Sequence, residues 1–246
     1  MPAQPQLTLY HLNASRAVRV AWTLAALSLS YNAVCSERDP NTGVAPQELK
    51  DKIPSPHKKS PTLVDGDLVL QESGAIIEYL CEKYDDASLL MPKHGAKGEG
   101  WGERERCKIR EWIAASEGTY LMHGISIMYA RSRLPKDLPN RAEVWAQMNK
   151  VMSVNLHNAL THLDDHLAKV HDSGGKFLVG GRLSAAEMAM LFSVQLIYNR
   201  ELSLQGLENG GKGRWQEVEK WHAYCEQEQS WKQCTEKVGW KLYGLL

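Results

Sequence analysis

Residues 59–84, Lys-Ser-Pro-Thr-Leu-Val-Asp-Gly-Asp-Leu-Val-Leu-Gln-Glu-Ser-Gly-Ala-Ile-Ile-Glu-Tyr-Leu-Cys-Glu-Lys-Tyr, constrain this chain more than any other stretch. Two short β-favouring runs, 62–64 and 68–70, flank Asp65-Gly66-Asp67, which is the pattern of a β-hairpin. Apolar residues then recur at Ile76, Ile77, Leu80 and Tyr84, a helical spacing, with Ser73 placed to cap the first turn. A helix N-terminus offers free N–H groups and the positive end of the helix dipole, so it favours a carboxylate. Here Glu72 adds a carboxylate of the chain's own beside the Ser73 hydroxyl. The pair suits a ligand with both an ammonium and a carboxylate, such as an α-amino-acid end. An ordinary hairpin followed by a capped helix carries the same pattern.

Upstream, residues 7–12 alternate like a short strand, and Asn13-Ala14-Ser15 form a turn with Ser15 as N-cap. The next helix carries Val18, Ala21, Trp22, Ala25 and Leu29 on one face, and residues 31–34 read as a second strand. A strand-helix-strand unit this short implies parallel pairing through a right-handed crossover. Pro40, Gly43, Pro46, Pro54 and Pro56 make 36–58 an irregular loop around a short helix at 46–52. Completed by the hairpin and third helix, the order is thioredoxin-like.

The run Ser-Pro-x-Leu-x-Asp-Gly-Asp-Leu-x-Leu-x-Glu-Ser-Gly-Ala-Ile-Ile-Glu-Tyr-Leu resembles the glutathione-site segment of the cytosolic glutathione transferases. The resemblance implies a cis Pro61 preceded by Ser60, whose backbone pairs with the cysteine of glutathione. It gives Glu72 and Ser73 the γ-glutamyl end. Ser55-Pro56-His57-Lys58-Lys59 looks like a variant of the family's Asn-Pro-Leu-Gly-Lys, which puts Lys59 near the glycine carboxylate. It also implies two domains: residues 1–88, a thioredoxin-like α/β domain binding glutathione, and 96–246, an all-α helical bundle bordering the acceptor-substrate pocket.

The chain changes character at Asp85. Asp-Asp-Ala-Ser and Met91-Pro92-Lys93-His94-Gly95 read as a linker, and beyond it helical periodicity dominates. Residues 99–133 and 139–171 read as two long helices broken by Pro135 and Pro139; the last helices cover roughly 214–227 and 230–238, after a Gly-rich loop at 205–213. Ser184-Ala-Ala-Glu187 is a capping box, with Leu183 and Met188 placed as a hydrophobic staple. It resembles the box in the family's helical core, where an Asp is usual; Glu187 can satisfy the same backbone donor.

Lys+Arg and Asp+Glu both number 29, so no global basic field draws the chain to nucleic acid or an anionic membrane. No apolar run reaches transmembrane length, and the first residues lack a signal-peptide pattern. The five cysteines form no Cys-x-x-Cys pair and are expected to be reduced thiols of a cytoplasmic protein, Cys35 and Cys81 being small buried apolar groups. Of the nine histidines, His157, His162 and His166 include one i,i+4 pair, His162 and His166, which is weak evidence on an amphipathic helix; no HExxH pattern occurs, so no metal site is expected.

A glutathione enzyme must stabilise a thiolate whose parent thiol has a pKa near ~8.5. Lowering it by about two units takes roughly 2.7 kcal/mol. The family uses a Tyr, a Ser or, in a redox branch, a Cys just after the first strand. Three residues compete here. Ser15, in Asn-x-Ser-Arg-x-x-Arg, looks like the serine-type branch and is the first candidate; it is also a plain N-cap. Asn13 can donate an amide N–H, and Tyr10 sits where a catalytic phenol would be. Residues 10–19 hold no cysteine, which argues against the redox branch. Trp112, Ser116, Tyr120, His123 and Ile127 fall at helical spacings and are expected to share one face, bordering the acceptor pocket or forming core.

The function expected from the resemblance is that of a homodimeric glutathione S-transferase attacking a hydrophobic electrophile. Two alternatives stay open: a glutathione-dependent double-bond isomerase, with His123 as a base assisting expulsion of the thiol, and a non-catalytic transferase-fold binding or assembly module. The intact Lys59, Glu72 and Ser73 favour a binding-competent site.

Overall fold

Alternation in β1 (Leu7–Leu12) decides how the sheet is sandwiched. Leu7 and Leu9 enter a large core, while Leu12 packs with Tyr10 against Leu49 and Ile53 on the other side. The computed structural model describes residues 6–204 and 207–242; the expectations that touched 1–5, 205–206 and 243–246 lie outside the described residues. β1 runs parallel to β2 (Tyr31–Ser36), with Leu7 opposite Tyr31, and antiparallel to β3 (Thr62–Asp65), with Tyr10 opposite Thr62. β4 (Leu68–Leu70) pairs antiparallel with β3, giving the order β2-β1-β3-β4. α1 (Ala17–Ala26), α2 (Gln47–Lys52) and α3 (Ser73–Tyr84) complete this α/β half.

The Asp65-Gly66-Asp67 hairpin forms as expected, with Gly66 at φ +60. Asp65 then fastens it to α3, accepting from Tyr79 Oη at 2.6 Å, Tyr84 Oη at 2.5 Å and Lys83 Nζ at 2.7 Å. Two local expectations need correction. Cys35, near the end of the edge strand β2, is exposed; Cys81 is buried. Ser73 is the first residue inside α3, and Glu72 takes the capping position without a side-chain cap bond.

The segment after α3 is pinned. Asp85 accepts from the Leu89, Leu90 and Met91 N–H groups at 2.6, 2.8 and 3.1 Å. Arg106 reaches back to Pro92 O at 3.1 Å and to Glu82 at 2.8 Å. The helical part comprises α4 (Glu103–Ala115), α5 (Met122–Arg133), α6 (Arg141–Asp172), α7 (Ala185–Asn199), α8 (Gln216–Gln227) and α9 (Gln229–Val238). α4 starts four residues later than expected: at Gly102 a Cβ would lie 2.5 Å from Gly98 O, and Glu105 caps the Gly102 N–H at 2.8 Å. Between α4 and α5, Ser116–Leu121 forms a π-helical segment, so the single long helix expected here is interrupted.

One core runs through both halves, from Leu9 and Ile76 to Trp221 and Val238. α1 packs against α3, α7 and α9, so the α/β half and the helical half share their interior. Among the described residues no helix is long and apolar enough to cross a membrane. The capping box forms: Glu187 accepts from Ser184 N at 2.9 Å, Ser184 Oγ at 2.7 Å and Leu178 N at 2.7 Å.

Two buried titratable groups oppose each other in pH. Burial raises the Glu187 carboxyl to about 7, against the hydrogen bonds that hold its ionised form. Burial lowers His11 to about 4, and neither ring nitrogen has a partner among the described residues. Between pH ~4.5 and ~6.5 the folded chain withholds a proton from His11 that the unfolded chain binds, so that contribution is lost as pH falls. Over the same window folded Glu187 keeps a proton that the unfolded chain releases, so its contribution is lost as pH rises. His166, lowered chiefly by burial, acts in the His11 direction. The two main slopes nearly cancel. Replacing His11 with Leu removes one of them: urea midpoints measured across this window should show His11→Leu losing stability with rising pH, relative to the parent, by about 1.4 kcal/mol per pH unit. Parallel curves for the two proteins would refute the assignment.

Candidate functional site

The N-terminus of α3 is open. Ile76 N makes the first intrahelical bond, to Glu72 O at 2.9 Å, and no side chain among the described residues caps the N–H groups ahead of it. Glu72 sits at φ +65, ψ 110, a conformation strained for a residue with a Cβ. That backbone presents its side chain to solvent, and the carboxylate has no hydrogen bond or ion pair among the described residues. Ser73 is buried beneath it and accepts from Arg19 Nη1 at 3.0 Å.

Arg19 is 1% exposed and gathers four elements. Its Nη1 also pairs with Glu117 in the π-helical segment, and its Nη2 donates to Ser193 Oγ of α7 at 2.7 Å. Ser193 in turn donates to Ser116 O at 2.9 Å. Half-buried Arg16, the N-cap of α1, binds the other Glu117 oxygen at 3.1 Å, so two arginines hold one carboxylate across the junction of the two halves. Burial lowers the Arg19 pKa to about 10, with Glu117 pulling it back up, so the guanidinium stays charged at neutral pH.

The Ser60-Pro61 bond is cis. Ser60 Oγ bridges β1, accepting from Leu12 N at 2.8 Å and donating to Tyr10 O at 3.0 Å. Its main-chain N–H and C=O lie beyond the β1–β3 ladder and carry no hydrogen bond among the described residues. The two neighbouring lysines differ: Lys58 Nζ is held by Ile53 O at 2.6 Å, whereas the exposed Lys59 ammonium has no partner among the described residues.

The turn after β1 is fastened from three directions. Asn13 Nδ2 donates to both Glu37 oxygens at 3.1 and 3.0 Å and to Gly239 O at 3.0 Å; its Oδ1 accepts from Ala14 N and Lys241 N at 2.8 and 2.9 Å. Arg38 binds the Asn13 and Ala14 carbonyls at 3.1 and 3.0 Å. Ala14 is thereby kept at φ +50. Ser15 is buried; its Oγ donates to Leu12 O at 2.6 Å and accepts from Ala17 N at 3.2 Å, but the N-cap position of α1 falls on Arg16, so Ser15 stands one residue ahead of the cap expected of it. Tyr10 belongs to the small apolar cluster on the α2 side of the sheet.

The stripe on α4 and α5 is divided. Trp112 and Tyr120 are 6% and 1% exposed and face α6: Trp112 packs on His162 and His166, and Tyr120 Oη donates to Ala159 O at 3.0 Å. Ser116, 1% exposed, donates to Ile113 O and lies toward α7. His123 follows on α5, half-buried. The π turn is wider than an α turn, so residues four apart across it no longer align. Trp112, Ser116 and Tyr120 are core, and the single-face expectation is corrected. Glu117, Arg38 and the Gly239–Lys241 backbone were not singled out by sequence, and Arg19 entered only as the last residue of Asn-x-Ser-Arg-x-x-Arg. Arg19 alone had a signal, a charged residue on the apolar face of α1 beside Val18 and Trp22.

A family profile described as "Glutathione S-transferase, N-terminal domain" matches residues 9–88. Glutathione S-transferase 1 of Saccharomyces cerevisiae is 27% identical over 208 residues, 81% of this chain and 84% of that protein. Glutathione S-transferase 3 of Schizosaccharomyces pombe is 27% identical over 206 residues, 82% and 79% of the two chains. Among solved structures, a glutathione S-transferase from Actinobacillus pleuropneumoniae superposes with a TM-score of 0.71 at 26% identity, covering 96% of this chain and 94% of that one.

The positive φ at Glu72 yields a stability test. Glycine adopts that backbone freely, and relief of roughly 1–3 kcal/mol of strain outweighs the ~0.5–1 kcal/mol entropy cost of a glycine. Glu72→Gly should therefore unfold at higher urea than the parent by calorimetry-matched two-state fits. A lower midpoint would show that the conformation is unstrained.

Proposed function

This chain belongs to the cytosolic glutathione transferase family, and on that premise we propose that it binds glutathione across the α3 N-terminus and attacks a hydrophobic electrophile with its thiolate. The observation that carries the reading is a set of unpaired groups matching the tripeptide's charges in order. Glu72, Ser73 and the open N–H groups meet the γ-glutamyl ammonium and carboxylate. The Ser60 main chain beside cis Pro61 meets the cysteine, and Lys59 meets the glycine carboxylate.

Ser15 is the thiolate donor in this reading. To reach the sulfur its proton must leave Leu12 O, exchanging a neutral hydrogen bond worth about 1 kcal/mol for a charge-assisted one worth about 1.5–3. The net gain lowers the thiol pKa by about one unit. The N-terminus of α1, worth 0.3–1 kcal/mol to an anion, supplies part of the rest. Asn13 is the weaker candidate, since donating to sulfur would cost it the Glu37 carboxylate or Gly239 O. In the reaction the thiolate forms an S–C bond; an aryl halide expels halide, and an activated alkene takes up a proton from water.

Glutathione titrated calorimetrically into the parent and Glu72→Ala tests binding; the variant should bind more weakly by on the order of 2–4 kcal/mol. Unchanged affinity would remove Glu72 from the site. Ser15→Ala should raise the bound thiol's pKa by about one unit, followed as thiolate absorbance, with affinity largely kept. A larger shift from Asn13→Ala would reverse the ranking. Incubation with electrophilic alkenes and aryl halides should yield thioether adducts by mass spectrometry. Rearranged substrate at constant glutathione would instead make the chain an isomerase.

The working form in this reading is a homodimer. Tyr129 on α5 and Val151 and Val154 on α6 are exposed apolar groups at 52%, 75% and 54%, surfaces that a second copy would cover. Sedimentation at micromolar concentration should give twice the 27.7 kDa chain mass, and a clean single-chain species would disprove it.

A further inference from the structure

A guanidinium only donates hydrogen bonds, so both serines that touch Arg19 must accept from it. Each serine then has one hydroxyl proton left to place. Ser193 gives its proton to Ser116 O at 2.9 Å. Ser73 has no acceptor for its own among the described residues, and it stands at the open end of α3. Its proton and remaining lone pair are therefore not used by Arg19 and are left for a ligand at that end of the helix, and the cation 3.0 Å from the oxygen disfavours a second cation beside it.

We propose that Arg19 is a positioning residue for ligand recognition: by occupying one lone pair of Ser73 it turns that hydroxyl into a dedicated donor for the carboxylate of the γ-glutamyl end, leaving the ammonium to Glu72. The inference rests on the glutathione reading above and adds to it a buried residue that need not touch the ligand. It divides the two charges of an amino-acid head between neighbouring side chains and fixes which takes which. Desolvation strengthens the effect, because the Arg19–Ser73 bond lies where little water screens it. Glu117 holds the guanidinium plane from the opposite half, and Ser193 holds its second nitrogen. The fork therefore cannot swing away from Ser73 without breaking two other contacts.

The test compares glutathione with an analogue lacking only the γ-glutamyl α-carboxylate, 4-aminobutyryl-cysteinylglycine, by calorimetry on the full-length protein. The readout is the ratio of the two dissociation constants, which cancels any general weakening of the fold. The parent should discriminate by on the order of 10–100-fold. Arg19→Met should bring the ratio down to roughly three-fold or less. Arg19→Lys keeps the charge but loses the rigid fork, and should lower the ratio by about a factor of three; it decides the matter if Arg19→Met does not fold. Ser193→Ala removes an equally buried Arg19 partner and should leave the ratio at the parental value. A parental ratio in both Arg19 variants, or an equal fall in Ser193→Ala, would overturn the proposal. A parent that binds both ligands equally would overturn it while leaving the glutathione reading standing, whereas a parent that binds neither would overturn that reading itself.

Discussion

A charged side chain removed from water is the interaction on which the rest of this structure depends. Burying an ion costs several kcal/mol unless it is paired, and Arg19 is paired through its two terminal nitrogens with Glu117, Ser73 and Ser193, while its Nε has no partner among the described residues. Those partners lie on the π-helical segment, α3 and α7, while Arg19 itself lies on α1. The seating of the helical half on the α/β half and the placement of Ser73 are thus set by the same group. A substitution that loosens the junction will disturb the site, and one that disturbs the site will loosen the junction. Phe192, whose ring lies 5.4 Å from the guanidinium carbon, adds a cation–π contact on the α7 side.

The turn at 13–15 shows a second kind of interdependence. Its backbone includes Ala14 in the left-handed region, a conformation that persists only when neighbours fix it. Arg38 and Glu37 supply two of those neighbours from just beyond β2. The third comes from more than two hundred residues away, where Gly239 and Lys241 bond to Asn13. Trp240, between them, packs edge-on to His11, Phe192 and Trp231. The segment after α9 is thereby built into the wall behind the turn, and no side chain of the turn can be altered without regard to that segment.

These long-range partners mark the limit of what sequence could reveal. The strand order, the hairpin, α3 and the Ser184–Glu187 box are local patterns with local causes, and they formed where expected. Glu187 replaces the expected Asp and still reaches the Ser184 N–H, because its additional methylene is taken up within the first turn. The π-helical segment was invisible: Ser116–Leu121 has an unremarkable composition, and its extra residue per turn answers contacts made by Glu117 and Ser116 to α1 and α7. Ser73 was legible as a polar group at a helix start, but its hydrogen-bond polarity was not, since that depends on a partner fifty-four residues away. Asn13 looked like a spare amide, and only the fold shows both its hydrogens engaged. Motifs exposed the candidate residues; the groups that hold them came from the tertiary structure.

The two ends of the site are built to different strengths, and chemistry explains why. In the proposed reading the γ-glutamyl end would meet a helix terminus, a carboxylate with no partner among the described residues and a buried cation behind Ser73, groups suited to strong binding. At the proposed sulfur end the candidate donors, the Ser15 hydroxyl and the Asn13 amide, are neutral, and Ser15 is already engaged with Leu12 O. A stronger donor would gain little. Lowering a thiol's pKa raises its thiolate fraction only until the pKa meets the ambient pH, while each unit costs nucleophilicity through a Brønsted coefficient of about 0.4–0.5. From ~8.5, a shift of about one to two units captures most of the benefit, and that corresponds to roughly 1.4–2.7 kcal/mol. A hydroxyl exchanging one bond for another, aided by the N-terminus of α1, is of that size. A buried cation placed at the sulfur instead would drive the pKa past the optimum, so the charge serves better where it stands, behind the recognition of the ligand and one step removed from the reacting atom.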